Sequence, residues 1–409
     1  MKSSKLTTWI LIAMVLGILT GYAVRSLNTS PDAVKSFADN ISILTDIFLR
    51  LIKMIIAPLV FATLVAGIAK MGDGKSVGRV GGKTMLWFIT ASLISLLLGL
   101  VMVNLLKPGI GLSLPLPDIH AATGIETTNL TFKEFITHAF PKSVFEAMAK
   151  NEILQIVVFS VFFGSAAAAL GPRAKLLVDM MDVVGHVMLK VTGYVMSLAP
   201  IAVFAAISAV VAKQGLGILA SYGTFMGEFY LSIAILWGCL MLMGSLFLGR
   251  RVITLMRSVR EPSLLAFTTA SSEAAYPKTL EQLERFGCSN KIASFVLPMG
   301  YSFNLDGSMM YCTFATIFIA QAYGIQLTLS QEISMLLILM LTSKGMAGVP
   351  RASLVVIAAT LAQFNIPEAG LLLLLGVDHF LDMARSATNV VGNSIATAVV
   401  AKWEGELKH

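Results

Sequence analysis

Charge is what this chain has least of. Among its 409 residues stand 30 Lys and Arg and 23 Asp and Glu, 13% in all, where an ordinary soluble protein carries roughly 25%. With 56% hydrophobic residues and a mean hydropathy of +0.81, one buried core cannot account for the composition, because a soluble surface needs far more charge. A soluble enzyme and a disordered chain are excluded. Cysteine is also scarce. Cys239, Cys288 and Cys312 are an odd number without metal spacing, which excludes a disulfide scaffold. Cys239 and Cys312 read as small apolar residues within hydrophobic runs. A glycine-rich nucleotide loop, a metal-ligand cluster and a nucleophile triad are all missing. What remains is a multi-spanning membrane protein.

The formal net charge of +7 does not point to nucleic acid once the charges are located. Lys70, Lys75, Arg79 and Lys83 form one group and Arg250, Arg251, Arg257 and Arg260 another. Lys2 and Lys5 stand near the start, Lys402 and Lys408 near the end. Each group lies just outside an apolar run, as the positive-inside bias predicts. A spanning helix needs about 20 apolar residues, and uncharged runs of that order occur at 6–24, 84–106, 153–172, 191–212 and 229–249. A shorter run at 54–69 extends back to Leu51 if Lys53 snorkels. The first run has no convincing small-residue cleavage site and reads as a retained helix rather than a signal peptide. Six helices over residues 1–250 put both inner basic groups on the side of the N-terminus. Residues 107–150, with Pro108, Pro115 and Pro117 and balanced charges, read as a loop, and 173–190 as an amphipathic link.

After Arg260 the pattern changes. Pro262–Ser272 is uncharged for 11 residues and ends in Ser271, Ser272 and Glu273; Ile333–Ser343 is uncharged for 11 and runs into Lys344, Gly345, Gly348 and Pro350. Both are too short to span, and each is followed by another apolar segment, the pattern of a re-entrant hairpin. Long segments at roughly 292–323 and 369–401 follow them. Two broken segments at corresponding places in two half-repeats point to a transporter binding site; the blander reading is short helices joined by loops.

Asp306, within Asn304-Leu305-Asp306-Gly307-Ser308, is the only charged residue between Lys291 and Glu332. An intramembrane carboxylate marks an ion path or a buried partner, and Gly307 would loosen the helix and free carbonyl oxygens for a cation. In the last segment Asp378, Asp382, Arg385, Asn389 and Asn393 step by 4, 3, 4 and 4, which sets all five on one helical stripe. Arg385 presents a planar fork for a carboxylate, and Asp382 one turn earlier can accept from an ammonium group. A cation receiver beside an anion receiver describes a site for a zwitterion with an acidic side chain. An internal Asp–Arg pair that only aligns helices is the competing reading. His379 falls off the stripe.

Arg50-Leu-Ile-Lys-Met-Ile-Ile-Ala-Pro58, Ala270-Ser-Ser-Glu273, Asn304-Leu-Asp-Gly-Ser308, Ser343-Lys-Gly-Met-Ala-Gly-Val-Pro350 and Asp382-Met-Ala-Arg385 together resemble the dicarboxylate/amino acid:cation symporter family, the glutamate transporter family, and most of all its bacterial proton/glutamate members. The resemblance covers essentially the whole chain. It implies an all-α protein of eight transmembrane helices plus two re-entrant hairpins, with inverted repeats, working as an elevator within a homotrimer in the bacterial inner membrane, both termini cytoplasmic. Residues 1–250 would form mainly the scaffold, with helices 3 and 6 moving with the transport part, and residues 251–409 the transport core. By position, Arg385 would clamp the substrate side-chain carboxylate and Asp382 its amino group. Asn389 and Ser308 would hold the main carboxylate, with Ser386 beside them and the backbone at Ser271, Ser272 and Gly348 closing the pocket from the hairpin tips.

The resemblance also frames the coupling ion. Where sodium-coupled members carry a carboxylate, this chain has Asn393. Phe88 and Ala91 replace a Tyr and a Thr, Met346 replaces another Thr, and Ser92, Asn304 and Asp306 remain. Sodium at Asn304, Asp306 and Asn389 stays open, but these losses favour protons, with Glu273, Asp306 and Asp378 as candidate carriers. Asp382 favours glutamate or aspartate over succinate, fumarate or malate, whose carriers in the family tend to lack an acid there; a C4-dicarboxylate symporter is the alternative. Arg351 stands where a small residue is usual. An intramembrane aspartyl protease is the rival from another class, but it would need a Gly-x-Gly-Asp motif that is absent and gives Arg385 no role. The expected partners are an acidic small molecule, the bilayer and two further copies, with no cofactor and no nucleic acid.

Overall fold

The computed structural model describes residues 3–27, 30–71, 74–110, 116–118, 140–215, 222–342, 352–375 and 377–408. Among them the secondary structure is helical, without a named strand. The first half holds α1 (Ser3–Leu27), α2 (Pro31–Met71), α3 (Gly74–Leu106), α4 (Val144–Lys150), α5 (Ile153–Leu170), α6 (Lys175–Met196), α7 (Ala199–Gln214) and α8 (Gly223–Leu248). Five helical segments are long and apolar enough to cross a membrane. They show lipid-type faces: Leu86, Leu97, Val101 and Leu105 of α3 are exposed, while Phe88, Ala91, Leu96 and Val103 are buried.

The charge-free run at 191–212 is not one span. It divides at Ser197–Leu198, where α6 stops and α7 begins with Pro200 in its first turn. A proline is tolerated there because its missing N–H has no helical partner to lose. The stretch 173–190, read as a link, lies mostly within α6. In the long hydrophilic connection Val144–Lys150 is helical, capped by Ser143; most of the rest lies outside the described residues.

The second half holds α9 (Arg251–Thr269), α10 (Ser272–Phe286), α11 (Asn290–Phe303), α12 (Asp306–Ala322), α13 (Leu329–Thr342), α14 (Ala352–Gln363), the short α15 (Leu371–Leu375) and α16 (Asp378–Trp403). α9 and α10 form the first hairpin and pack on each other and on α16. The turn between them is tight: Ala270 takes a left-handed φ of 49° and Ser271 caps α10 by accepting from Ala274 N at 3.2 Å, satisfying an otherwise orphaned amide. α13 and α14 are the arms of the second hairpin and pack together. Its tip, with Lys344, Met346, Gly348 and Arg351, lies outside the described residues.

Packing sorts the helices. α1, α2, α5, α6 and α7 pack among themselves, whereas α3, α8 and α9 to α12 pack around α16, with α13 packed on α3 and α12 and α14 on α12. α2 meets α10 and α11, and α7 meets α9, where the two groups join. α16 is buried along almost its whole length, so its polar stripe faces protein on every side.

Candidate functional site

Two interruptions build the site. The segment read as a continuous helix over 292–323 breaks at Asn304 and Leu305, whose ψ angles of 60° and 65° leave the helical region. α12 therefore starts in the middle of the bundle with Asp306 in its first turn, where helix amides favour a negative charge. The second segment also restarts deep in the protein, with Asp378 opening α16. Both new N-termini point polar groups at the same interior. Close contact depends on glycine: a Cβ on Gly307 would stand 2.6 Å from the Arg385 carbonyl oxygen, and one on Gly392 would collide with the Asp306 carboxylate.

The first cluster surrounds Arg385, which is 2% exposed. Its Nη2 lies 2.9 Å from Asp382 Oδ1 and 3.4 Å from Asp378 Oδ1. Tyr311 OH donates to Asp378 Oδ1 at 3.1 Å, and the guanidinium lies over the Tyr311 ring at 4.1 Å. Among the described residues Nε and Nη1 are buried without a hydrogen-bond partner. One turn on, Asn389 Oδ1 accepts from Gly307 N at 2.9 Å and its Nδ2 donates to Ser308 Oγ at 3.2 Å. Ser386 Oγ lies 3.5 Å from Asp382 Oδ1.

The second cluster sits further along α16. Asn304 Nδ2 donates to Asp306 Oδ2 at 3.0 Å and to Asn393 Oδ1 at 3.1 Å. Ser95 Oγ donates to Asp306 Oδ1 at 3.2 Å. All four side chains are essentially inaccessible, and among the described residues Asn304 Oδ1 and Asn393 Nδ2 are buried without a partner. Ser92 is buried beside them, its Oγ 3.5 Å from the Phe303 carbonyl. Phe88 and Ala91 are buried on the same helix and offer no oxygen ligand from their side chains.

Most residues singled out from the sequence thus fall into two adjoining groups. Ser271 and Ser272 lie at the first hairpin's tip, and Glu273 is half-buried in the first turn of α10. Gly348 lies outside the described residues. Tyr311 and Ser95 were missed. Tyr311 follows Ser308 by one helical turn, the one signal that it shares a face with the substrate-facing residues. Ser95 follows Ser92 by the same spacing. An aspartyl protease would pair Asp306 with Asp378 or Asp382, but Asp306 bonds to Asn304 and Ser95 while Asp378 and Asp382 share Arg385.

Residues 6–403 match the model of the sodium:dicarboxylate symporter family. The chain belongs to that family. The C4-dicarboxylate transport protein of Laribacter hongkongensis is 41% identical over 97% of this chain and 89% of its own length. That of Bacillus subtilis is 39% identical over 98% and 94%. The proton/sodium-glutamate symport protein of Geobacillus stearothermophilus is 40% identical over 99% and 96%. This family member is a helical membrane transporter and not an enzyme, a symporter of the dicarboxylate and glutamate class.

Proposed function

We propose that this symporter imports acidic amino acids, glutamate or aspartate, with Arg385 as the carboxylate receiver. The observation that carries the proposal is the pair of unspent donors on a fully buried guanidinium. Buried donors without partners are costly, and a substrate carboxylate approaching Nε and Nη1 would relieve them with the bidentate geometry to which Arg is suited. Asp378 and the Tyr311 ring hold the guanidinium in place. Asp382 pairs with Arg385 at 2.9 Å. A substrate carboxylate on Arg385 would compete with Asp382 for the guanidinium and leave Asp382 able to accept from an ammonium group. Asn389, Ser308 and Ser386 would line the pocket, and the backbone of Ser271, Ser272 and Gly348 would complete it around the main carboxylate.

A C4-dicarboxylate is the second reading, and the names of the relatives from Laribacter hongkongensis and Bacillus subtilis favour it. For such a substrate the freed Asp382 would face no ammonium group and would only add negative charge. Uptake of labelled glutamate, aspartate and succinate into proteoliposomes separates the two. Concentrative glutamate or aspartate uptake that a hundredfold excess of succinate fails to inhibit supports the amino acid reading. Succinate as sole substrate overturns it.

For coupling, protons are favoured over sodium. Asn393 is a neutral amide engaged by Asn304, and Phe88 and Ala91 remove hydroxyl ligands from α3. The remaining oxygens of Asn304, Asp306 and Ser92 are the hard kind a sodium ion takes, so sodium is the alternative cargo there. Asp306 is the carboxylate best placed to carry the coupling charge: Asp378 is committed to Arg385 and Tyr311, whereas Asp306 bonds to Ser95 and Asn304, both neutral. The packing of α3 and α8 with the second-half helices supports a moving core that includes them, sliding against a scaffold of α1, α2, α5, α6 and α7. A homotrimer in the bacterial inner membrane, with cytoplasmic termini and the second hairpin as outer gate, completes the reading. An imposed proton gradient alone should drive uptake; strict dependence on sodium contradicts proton coupling.

A further inference from the structure

Behind the substrate-facing stripe of α16 lies a cavity of about 520 Å³ that the transport reading does not use. Its walls are Trp237 and Met241 of α8, Met256 and Phe267 of α9, and Ala384 and Ala387 of α16. Arg260 lines it as well, and so does Ser263, whose Oγ is buried without a hydrogen-bond partner. An apolar hole of this size forfeits dispersion contacts if left empty, and it gives water few partners. Along α8 it reaches from Tyr230 to Met241, about 16 Å at 1.5 Å per residue. That is about half the roughly 30 Å hydrocarbon core of a bilayer, the depth one leaflet's acyl chains occupy.

The charge around it is one-sided. Arg250, Arg257 and Arg260 are exposed. None of them pairs with an acid or donates a hydrogen bond among the described residues, and their spacing sets them on neighbouring parts of one helical face. Arg251, by contrast, is engaged, donating to the Lys408 carbonyl at 2.7 Å. Arg250 caps α9, Arg257 follows two turns in and Arg260 stands midway along it at the cavity, which runs from Met256 to Phe267 on the same helix, so a basic rim leads into an apolar slot.

We propose that the slot between α8, α9 and α16 holds an acyl chain of an anionic phospholipid whose phosphate sits on Arg260 and Arg257. An apolar helix from a second copy would fill the slot but leave the arginines unanswered, and a zwitterionic lipid would fill it with weaker attraction at the rim. An acyl chain bound there braces Ala384 and Ala387, neighbours of Arg385 and Ser386, against the first hairpin. The inference does not depend on which substrate is carried.

Native mass spectrometry of the full-length, detergent-solubilised protein tests it, titrating phosphatidylglycerol and phosphatidylcholine with identical acyl chains. The expected result is saturable binding of one phosphatidylglycerol per chain, tighter than phosphatidylcholine. Arg260→Gln should weaken it about fivefold, as removal of one basic residue near an anionic headgroup does. Ala234→Trp, which plugs the slot from the exposed side of α8, should abolish the preference. Lipid-free melting temperatures of both variants check that they fold; if Ala234→Trp does not, Arg260→Gln alone decides. Equal binding of the two lipids, or binding unmoved by Arg260→Gln, overturns the proposal. So does a change in oligomeric mass on plugging the slot without change in lipid binding, which would assign the slot to a second copy.

Discussion

The two polar clusters on α16 are built from similar parts and differ in what they leave unsatisfied. Around Arg385 two carboxylates, a phenol and an aromatic face hold a cation, yet two of its nitrogens remain without partners. Around Asp306 the groups are a carboxylate, two amides and a hydroxyl, and among the described residues two atoms lack partners, the oxygen Asn304 Oδ1 and the amide nitrogen Asn393 Nδ2. One cluster has donors to spare and awaits an anion. The other has one acceptor and one amide donor to spare around a carboxylate held by neutral groups, and suits a positive charge. A helix begins inside the bundle beside each of them, α16 at the first and α12 at the second, so the same backbone device serves both. A symporter needs two such receivers close together, and the 8-residue step from Arg385 to Asn393 spans just over two helical turns.

The comparison breaks most readily at its cation. Arg385→Ala should lower glutamate or aspartate uptake by more than about a hundredfold, since removing one member of a buried charge group leaves the other charges uncompensated; near-normal uptake in proteoliposomes would remove Arg385 from substrate binding. At the other cluster, Asn393→Asp adds a second carboxylate beside Asn304. It should shift uptake toward sodium dependence by about tenfold, read as the ratio of initial rates with and without sodium; an unchanged ratio would place the coupling charge elsewhere. Tyr311→Phe keeps the ring under Arg385 and removes only the hydrogen bond to Asp378. A loss of about two- to tenfold in substrate affinity is expected, measured by equilibrium binding, and a loss as large as that of Arg385→Ala would mean the phenol itself meets the substrate.

The smallest effect belongs outside the membrane, where the end of α16 is tied back to α3. Partial burial raises the Glu404 carboxyl, but hydrogen bonds and charge from Arg79 and Lys83 outweigh this and hold it below the usual carboxylate range. The bonds are 2.9 and 2.6 Å. A carboxyl lowered in the folded state stabilises above its unfolded pKa, and that stability is lost as pH falls through the folded value. Glu404→Gln should therefore lower the melting temperature by about 1–3 °C at pH 7. The difference from wild type should shrink as pH falls below the unfolded value of about 4.3 and vanish once it is below the folded one; a difference that persists after Glu404 is protonated would make the contact one of shape rather than charge.

Much of this was legible because membrane-buried polarity is conspicuous. A 4, 3, 4, 4 spacing inside an apolar segment left Asp378, Asp382, Arg385, Asn389 and Asn393 no face but one, and they fall on one helix. The isolated Asp306 was equally plain. What the pattern concealed was detail that depends on three dimensions. Uncharged runs do not reveal where a helix stops, so 191–212 read as one span although Pro200 opens a new helix. Tyr311 and Ser95 looked like ordinary members of apolar helices, because a hydroxyl's role depends on which acid lies across the bundle. Asn304–Leu305 signalled a weak point through Gly307, but not that the backbone leaves the helix two residues earlier. The lipid slot had no sequence signature, since its walls come from three separate helices.

The division of labour between the clusters is tested most directly by comparing two assays on Asp306→Asn and Arg385→Ala in the same proteoliposomes. Exchange of internal for external labelled substrate needs the anion receiver, whereas net accumulation against a gradient also needs the coupling charge. Asp306→Asn should retain exchange and lose accumulation, while Arg385→Ala should lose both. Loss of exchange in Asp306→Asn, with the protein folded, would make the two clusters one site, and accumulation by Asp306→Asn would show that the coupling charge travels elsewhere.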